Sequence, residues 1–209
     1  MNRCLIITVL FLLGCKNFKK NKKDYRQALV EIEEGNNHKA ILILEEYLKK
    51  NFDPQAAALQ ASLLYTENNY LEGVKILQKA LRYTKNSNLK YDILNNLACG
   101  LMILQRQQEA IAIWHQISKE KLYATPELAY FNLGFHEFRS QNYQEANQYF
   151  TKCLAFQPQY YDARWYLSLT YVYLKDYQAA KQQLKILENQ LPESTGVKSL
   201  QNQINNLCQ

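Results

Sequence analysis

Glu127–Pro158 reads ELAYFNLGFHEFRSQNYQEANQYFTKCLAFQP, and Tyr161–Pro192 reads YDARWYLSLTYVYLKDYQAAKQQLKILENQLP. Tyr143 and Tyr177, Ala146 and Ala180, and Pro158 and Pro192 are each 34 residues apart. A fixed period of this length marks a repeat built from one supersecondary unit. Upstream of Ala146 the equivalent places hold Ala110, Gly73 and Ala40, at successive spacings of 36, 37 and 33. The places equivalent to Gly134 hold Ala98, Ala61 and Ala28, with Ser168 in the last copy. All of these residues are small, as two helices require where they cross most closely, because the side chains at the contact set the interaxial distance. Large apolar residues surround them: Leu97, Leu133 and Leu167 on the first helices, and Leu44, Leu77, Trp114, Phe150 and Leu184 on the second. Each contributes roughly 1.5 to 3 kcal/mol when fully buried.

The pattern resembles the tetratricopeptide repeat, a helix-turn-helix unit, most fully at Tyr130, Leu133, Gly134, Tyr143, Ala146, Phe150 and Pro158. The resemblance implies an all-α fold, a right-handed superhelix of about five repeats near residues 21–53, 54–90, 91–126, 127–160 and 161–194. Residues 195–208 are expected to form a C-terminal capping helix, since single repeats leave an apolar face open. Gln27 and Gln60 stand where Leu is usual.

With 209 residues, 47% hydrophobic and 21% charged, and only 6 Gly and 4 Pro, the chain has the composition of a packed domain or short array. It contains no stretch of the roughly 20 apolar residues that a spanning helix needs. The net charge of +6 is concentrated at Arg3 and in Lys16–Arg26, and from residue 27 onwards acidic and basic residues are equal in number. A neutral body argues against nucleic acid as a partner, because phosphate affinity depends on many Lys/Arg contacts.

Residues 1–14 have the features of a signal peptide: a basic start at Arg3, then the apolar run Cys4–Leu13. The run ends in Leu12-Leu13-Gly14-Cys15, which resembles the bacterial lipobox. That motif implies diacylation of the Cys15 thiol and cleavage before it. The alternatives are cleavage elsewhere, or a buried strand with an incidental Cys. Residues 15–23 then read as a basic tether, solvated and able to support anchoring at about 1 kcal/mol per Lys beside anionic lipid, and residues 24–209 as the repeat domain. Lys16, where the enterobacterial sorting rule for inner-membrane retention needs Asp, favours the outer membrane. The expected location is its periplasmic leaflet, with membrane contact through the N-terminal lipid.

No catalytic signature is present, and neither an enzyme nor a cofactor is expected. His136-Glu137 begins like a zinc-protease helix, but Ser140 occupies the place of the second His. His38 and His115 stand alone, and Glu31, Glu33 and Glu34 read as part of a solvated face. Of the cysteines left after processing, Cys99 and Cys153 are expected to be buried thiols, while Cys208 lies at a frayed end.

In tetratricopeptide arrays the first helices line a groove, chiefly through the second, fifth, ninth, twelfth and thirteenth places of each repeat. Those places include Ala58, Ser62 and Tyr65, then Asn95, Cys99 and Met102, then Phe131, Phe135 and Phe138, and finally Trp165, Leu169 and Val172 beside Tyr173. The groove is expected to turn aromatic toward its C-terminal half, where Phe131, Phe135, Phe138, Trp165, Leu169, Val172 and Tyr173 form the candidate partner-binding set. The competing reading is that the next repeat or the capping helix covers these rings. The carboxylate clamp of chaperone-binding arrays is missing, since Ala58, Asn95, Phe131 and Trp165 fill its places.

Beyond the repeat consensus, Leu94–Gln116 (LNNLACGLMILQRQQEAIAIWHQ) and Leu122–Tyr130 (LYATPELAY) resemble the type IV pilus biogenesis and stability lipoproteins, the pilotins of the pilus secretin. The resemblance implies a lipid-anchored scaffold that helps secretin subunits assemble in the outer membrane, so the expected partner is a secretin subunit or another envelope protein. The alternative is an envelope adaptor that recruits peptidoglycan enzymes or outer-membrane assembly machinery.

Overall fold

The computed structural model describes residues 23–207, and all the regular structure among them is α-helical. Cys15, the signal and tether segments up to residue 22, and Cys208 lie outside the described residues. The helices are α1 (Lys23–Glu33), α2 (Asn37–Lys50), α3 (Pro54–Thr66), α4 (Tyr70–Tyr83), α5 (Ser87–Ile103), α6 (Gln107–Ile117), α7 (Pro126–Arg139), α8 (Tyr143–Phe156), α9 (Tyr161–Tyr173), α10 (Tyr177–Gln190) and α11 (Thr195–Leu207). Within the described residues no helix is long and apolar enough to cross a membrane. The chain divides into two compact units, one holding α1–α6 with Lys121–Ala124, the other Ser118–Glu120 with α7–α11.

In the first unit, α1–α2, α3–α4 and α5–α6 are helical hairpins. In the second, α7–α8 and α9–α10 are hairpins, and α11 closes the last one through Val197, Leu200 and Ile204, which join Ala180, Leu184 and Leu187 in one cluster. The expected tetratricopeptide-type fold and its capping helix are therefore present. Ala28, Ala61, Ala98 and Ser168 on the first helices, and Ala40, Ala110, Ala146 and Ala180 on the second, are fully enclosed. At Gly73 and Gly134 the approach is tight: a Cβ at Gly73 would run into the Tyr65 ring and one at Gly134 would lie 2.9 Å from the Phe150 ring, so in each case helix and ring share a space only glycine leaves open. Leu44, Leu77, Trp114, Phe150 and Leu184 are all buried as anticipated. The Trp114 indole N–H donates to Asn95 Oδ1 at 3.2 Å, which satisfies a polar group inside an apolar layer.

Three residues join the two helices of every hairpin, and the middle one is left-handed: Gly35 (φ 80°), Asn68 (61°), Gln105 (65°), Gln141 (64°) and Lys175 (60°). Each turn makes the same pair of bonds. In the second hairpin Asn68 N–H donates to Tyr65 O at 3.1 Å and Asn69 N–H to Leu64 O at 2.8 Å. This is the Schellman arrangement, which caps the orphan carbonyls at the end of the first helix. Only one of the five turns uses glycine, so four carry the cost of a Cβ in the left-handed region, about 1–2 kcal/mol each.

The joints between hairpins vary, and there the structure departs from the sequence reading. The third hairpin begins at Ser87, not 91, because Asn86 caps α5 by accepting from Leu89 N–H at 3.1 Å. The longest joint, between Ile117 and Pro126, is pinned by Tyr123, which is buried with its ring centroid 5.6 Å from that of Tyr91. Glu31 is not on a solvated face. It is buried, and Lys39 Nζ at 2.7 Å and Gln27 Nε2 at 2.8 Å hold its carboxylate and keep its pKa below the ordinary value.

Replacing Gln141 or Lys175 by Gly should stabilise the fold, because relief of the left-handed strain exceeds the added unfolded-state entropy of glycine. The expected gain is about 0.5–1 kcal/mol, or roughly 2–4 °C in melting temperature, read by circular dichroism. The same change at Gln182, exposed inside α10, should lower the melting temperature instead.

Candidate protein-binding surface

On the first helices of the second unit, α7 and α9 supply the ring-rich face. Phe131, Phe135 and Phe138 fall at spacings of four and three along α7 and so share one side of it. Tyr166 on α9 sits against all three, with centroids at 6.1, 5.0 and 5.4 Å, and also against Phe150 of α8 at 5.9 Å. Its ring meets the three phenylalanines edge-on, an arrangement that aromatic quadrupoles favour. At the far end, Tyr143 and Tyr173 stack in parallel at 4.6 Å, and Phe138 meets each edge-on at 5.6 Å.

The candidate residues divide into three groups. Phe131 is 1% exposed, enclosed by Phe135, Phe150, Tyr160 and Tyr166, and is therefore a core residue and not a groove-lining one. The physical reason is that α9 lays Tyr166 over the fifth place of the preceding repeat. Trp165, Leu169 and Val172 are half-buried against the cluster that anchors the capping helix, and the Trp165 ring reaches the start of α11 at Gly196. Phe135 and Phe138 are half-buried, while Tyr173 remains 56% exposed. The accessible ring surface thus centres on Phe135, Phe138 and Tyr173, and includes half-buried Tyr143 and Tyr166.

Sequence reasoning missed Tyr166 and Tyr143 as parts of this surface. Tyr166 sits one place beyond the groove position held by Trp165, and Tyr143 reads as a turn anchor. Their only signal is adjacency in the repeat to positions already singled out.

In the first unit the expected groove places are mostly core: Ala58, Ser62 and Tyr65 are buried, as are Asn95 and Cys99. The Tyr65 hydroxyl donates to Asn96 O at 3.2 Å. Asp92, at the second place of the third repeat, is half-buried with no cation paired to it among the described residues, and loss of hydration pushes its pKa up from 3.8 to about 6. Cys99 and Cys153 are buried free thiols, and burial, with Glu127 nearby, pushes the Cys153 pKa up, away from reactivity. Among the described residues no group of three or more His, Cys, Asp or Glu side chains is placed to hold a metal ion.

Comparison with known proteins agrees with this architecture. Residues 137–204 match the family model described as tetratricopeptide repeat. No curated protein sequence matches the chain. Among solved structures, pilF of Pseudomonas aeruginosa superposes with a TM-score of 0.69 at 22% identity, covering 79% of this chain and 74% of that one. MamA from Desulfovibrio magneticus RS-1 gives 0.65 at 17% identity, covering 86% and 100%. A tetratricopeptide repeat protein from Parabacteroides merdae gives 0.68 at 16% identity, covering 88% and 71%. At these identities the likeness is one of fold.

Two measurements test this description. Phe131→Ala should lose about 3–5 kcal/mol in urea unfolding, whereas Tyr173→Ala should lose less than about 1 kcal/mol. Equal losses would contradict the assignment of one ring to core and the other to surface. For Asp92 the folded pKa lies above the unfolded one, so the native state takes up a proton between about pH 6 and pH 4 and gains stability as pH falls through that window. Asp92→Asn should therefore stabilise the fold at pH 7.5, by about 1–3 kcal/mol, and give no advantage near pH 3.5.

Proposed function

We propose that the chain is a lipid-anchored scaffold of the outer membrane, facing the periplasm, that holds a segment of a type IV pilus secretin subunit on the α7–α9 surface. In doing so it supports assembly of the secretin or its delivery to that membrane. The observation that carries the reading is the exposed end of the ring cluster, where Phe138, Tyr143 and Tyr173 adjoin one another. A patch of this kind suits capture of an apolar segment, since buried aromatic anchors contribute most of the binding energy at protein interfaces. Further support comes from the lipobox-like Leu12-Leu13-Gly14-Cys15 and from the pilotin-like stretches at Leu94–Gln116 and Leu122–Tyr130.

The division of labour follows from the chemistry. Acyl chains on Cys15 supply the address, each buried methylene adding about 0.8 kcal/mol of membrane affinity. The repeats supply the grip: tyrosine rings offer broad apolar contact at small entropic cost, and their hydroxyls accept or donate at the rim. A subunit awaiting assembly exposes apolar surface that aggregates if left uncovered, and a held segment is protected from that fate.

Co-purification from cells that express the secretin tests the reading. Phe138→Ala with Tyr173→Ser should retain native helicity yet recover at least tenfold less secretin, as expected for loss of about 2 kcal/mol at a hot spot. Cys15→Ser should take up no radiolabelled palmitate and should move to the soluble periplasm. Undiminished secretin recovery, or undiminished labelling, would each overturn the corresponding half of the proposal.

A further inference from the structure

A second feature lies in the first unit, on helices that the α7–α9 surface does not involve. A cleft of about 590 Å³ opens between α2 and α4, with α3 as its floor. This volume is in the range of established ligand sites, about 300–1,000 Å³. Ile41 and Leu42 form one wall, Ile76 the other, and Gln60 and Leu64 the floor, one turn apart on α3. Leu42 is 50% exposed and leaves apolar surface open on its wall of the cleft.

Gln60 is the informative residue. It occupies the place filled by Leu97, Leu133 and Leu167 in later repeats, all of them core residues, and it is itself 4% exposed. Its Nε2 donates to Ile41 O at 3.4 Å, and nothing among the described residues donates to its Oε1. An amide here forgoes the apolar burial that leucine supplies at the same place in the later repeats. The amide therefore offers an acceptor at the bottom of an apolar cleft.

Charge around the rim defines what fits. Lys49 pairs with Glu45 at 3.1 Å, Lys75 with Glu72 at 3.1 Å, and His38 lies 3.4 Å from Glu67. Lys79 sits over the Phe52 ring at 4.3 Å. Each carboxylate lining the rim already has a basic neighbour and the Lys79 ammonium is held over a ring, so a charged ligand would have to displace an existing contact to gain a partner.

We propose that this cleft binds a short, uncharged, extended apolar segment of a partner protein, one of whose main-chain N–H groups donates to Gln60 Oε1. An extended segment fits because its amides are free, whereas a helix spends all but its first four N–H groups internally. The site is independent of the α7–α9 surface, and neither reading depends on the other.

Methyl-detected NMR of the full-length chain in lipid nanodiscs tests it, with acetyl-Gly-Leu-Ala-Leu-Gly-amide as the probe. The expected result is a saturable shift of the Ile41, Leu42, Leu64 and Ile76 methyl signals. The same peptide methylated at its central alanine nitrogen should bind about fivefold more weakly, the loss of one hydrogen bond. In Gln60→Leu that difference should disappear while the melting temperature stays at or above that of the wild type. Absence of saturable shifts, equal binding of the two peptides to the wild type, or equally strong binding of acetyl-Gly-Lys-Ala-Glu-Gly-amide would each overturn the proposal. If Gln60→Leu does not fold, the comparison of the two peptides on the wild type decides alone.

Discussion

The closest crossing of the two helices in each hairpin governs the rest of the structure. Where Gly134 faces Phe150, a single added carbon has no room. The other hairpins solve the same problem with alanine or serine on the first helix and alanine or glycine on the second. Once the backbones meet at that distance, the large side chains one turn away have fixed space to fill, and Leu44, Leu77, Trp114 and Leu184 fill it completely. The small residues thus specify geometry, and the large ones supply the burial energy that makes the geometry worth adopting.

This constraint explains why the fold was legible in one sequence. Small residues recurring at spacings of 33 to 37 cannot be satisfied by a strand or a loop, and the neighbouring leucines and rings follow the helical period. Hairpin ends were less legible. Ser87 opens α5 because Asn86 caps it, a local hydrogen bond with no counterpart in the repeat pattern. The burial of Glu31 was hidden for a similar reason, since it depends on Lys39 of the next helix and not on neighbours in sequence.

The ring surface was legible in position and not in depth. Counting places along a repeat identifies the residues that point away from the hairpin's own partner helix. It does not tell which of them the following hairpin will cover. Phe131 and Phe135 sit one turn apart, yet Tyr160 and Phe150 enclose the first and leave the second half-buried. Gln60 shows the converse: a departure from the consensus that looks like a weak match in sequence becomes, in the structure, a buried acceptor in an apolar cleft.

The five turns within hairpins are all three residues long, whereas the joints between hairpins run from three residues to eight. Every turn commits its left-handed residue and the next one to capping the helix before it, so an added or deleted residue there would uncap two carbonyls at once. A joint holds no left-handed residue, although its last residue can cap the helix that follows, as Asp53 and Asn86 do. An added residue is therefore accommodated at less cost in the segments 51–53, 84–86, 118–125, 157–160 and 191–194 than in the turns. The hairpin behaves as an indivisible unit of inheritance, and the joints are where one version of this protein can come to differ from another.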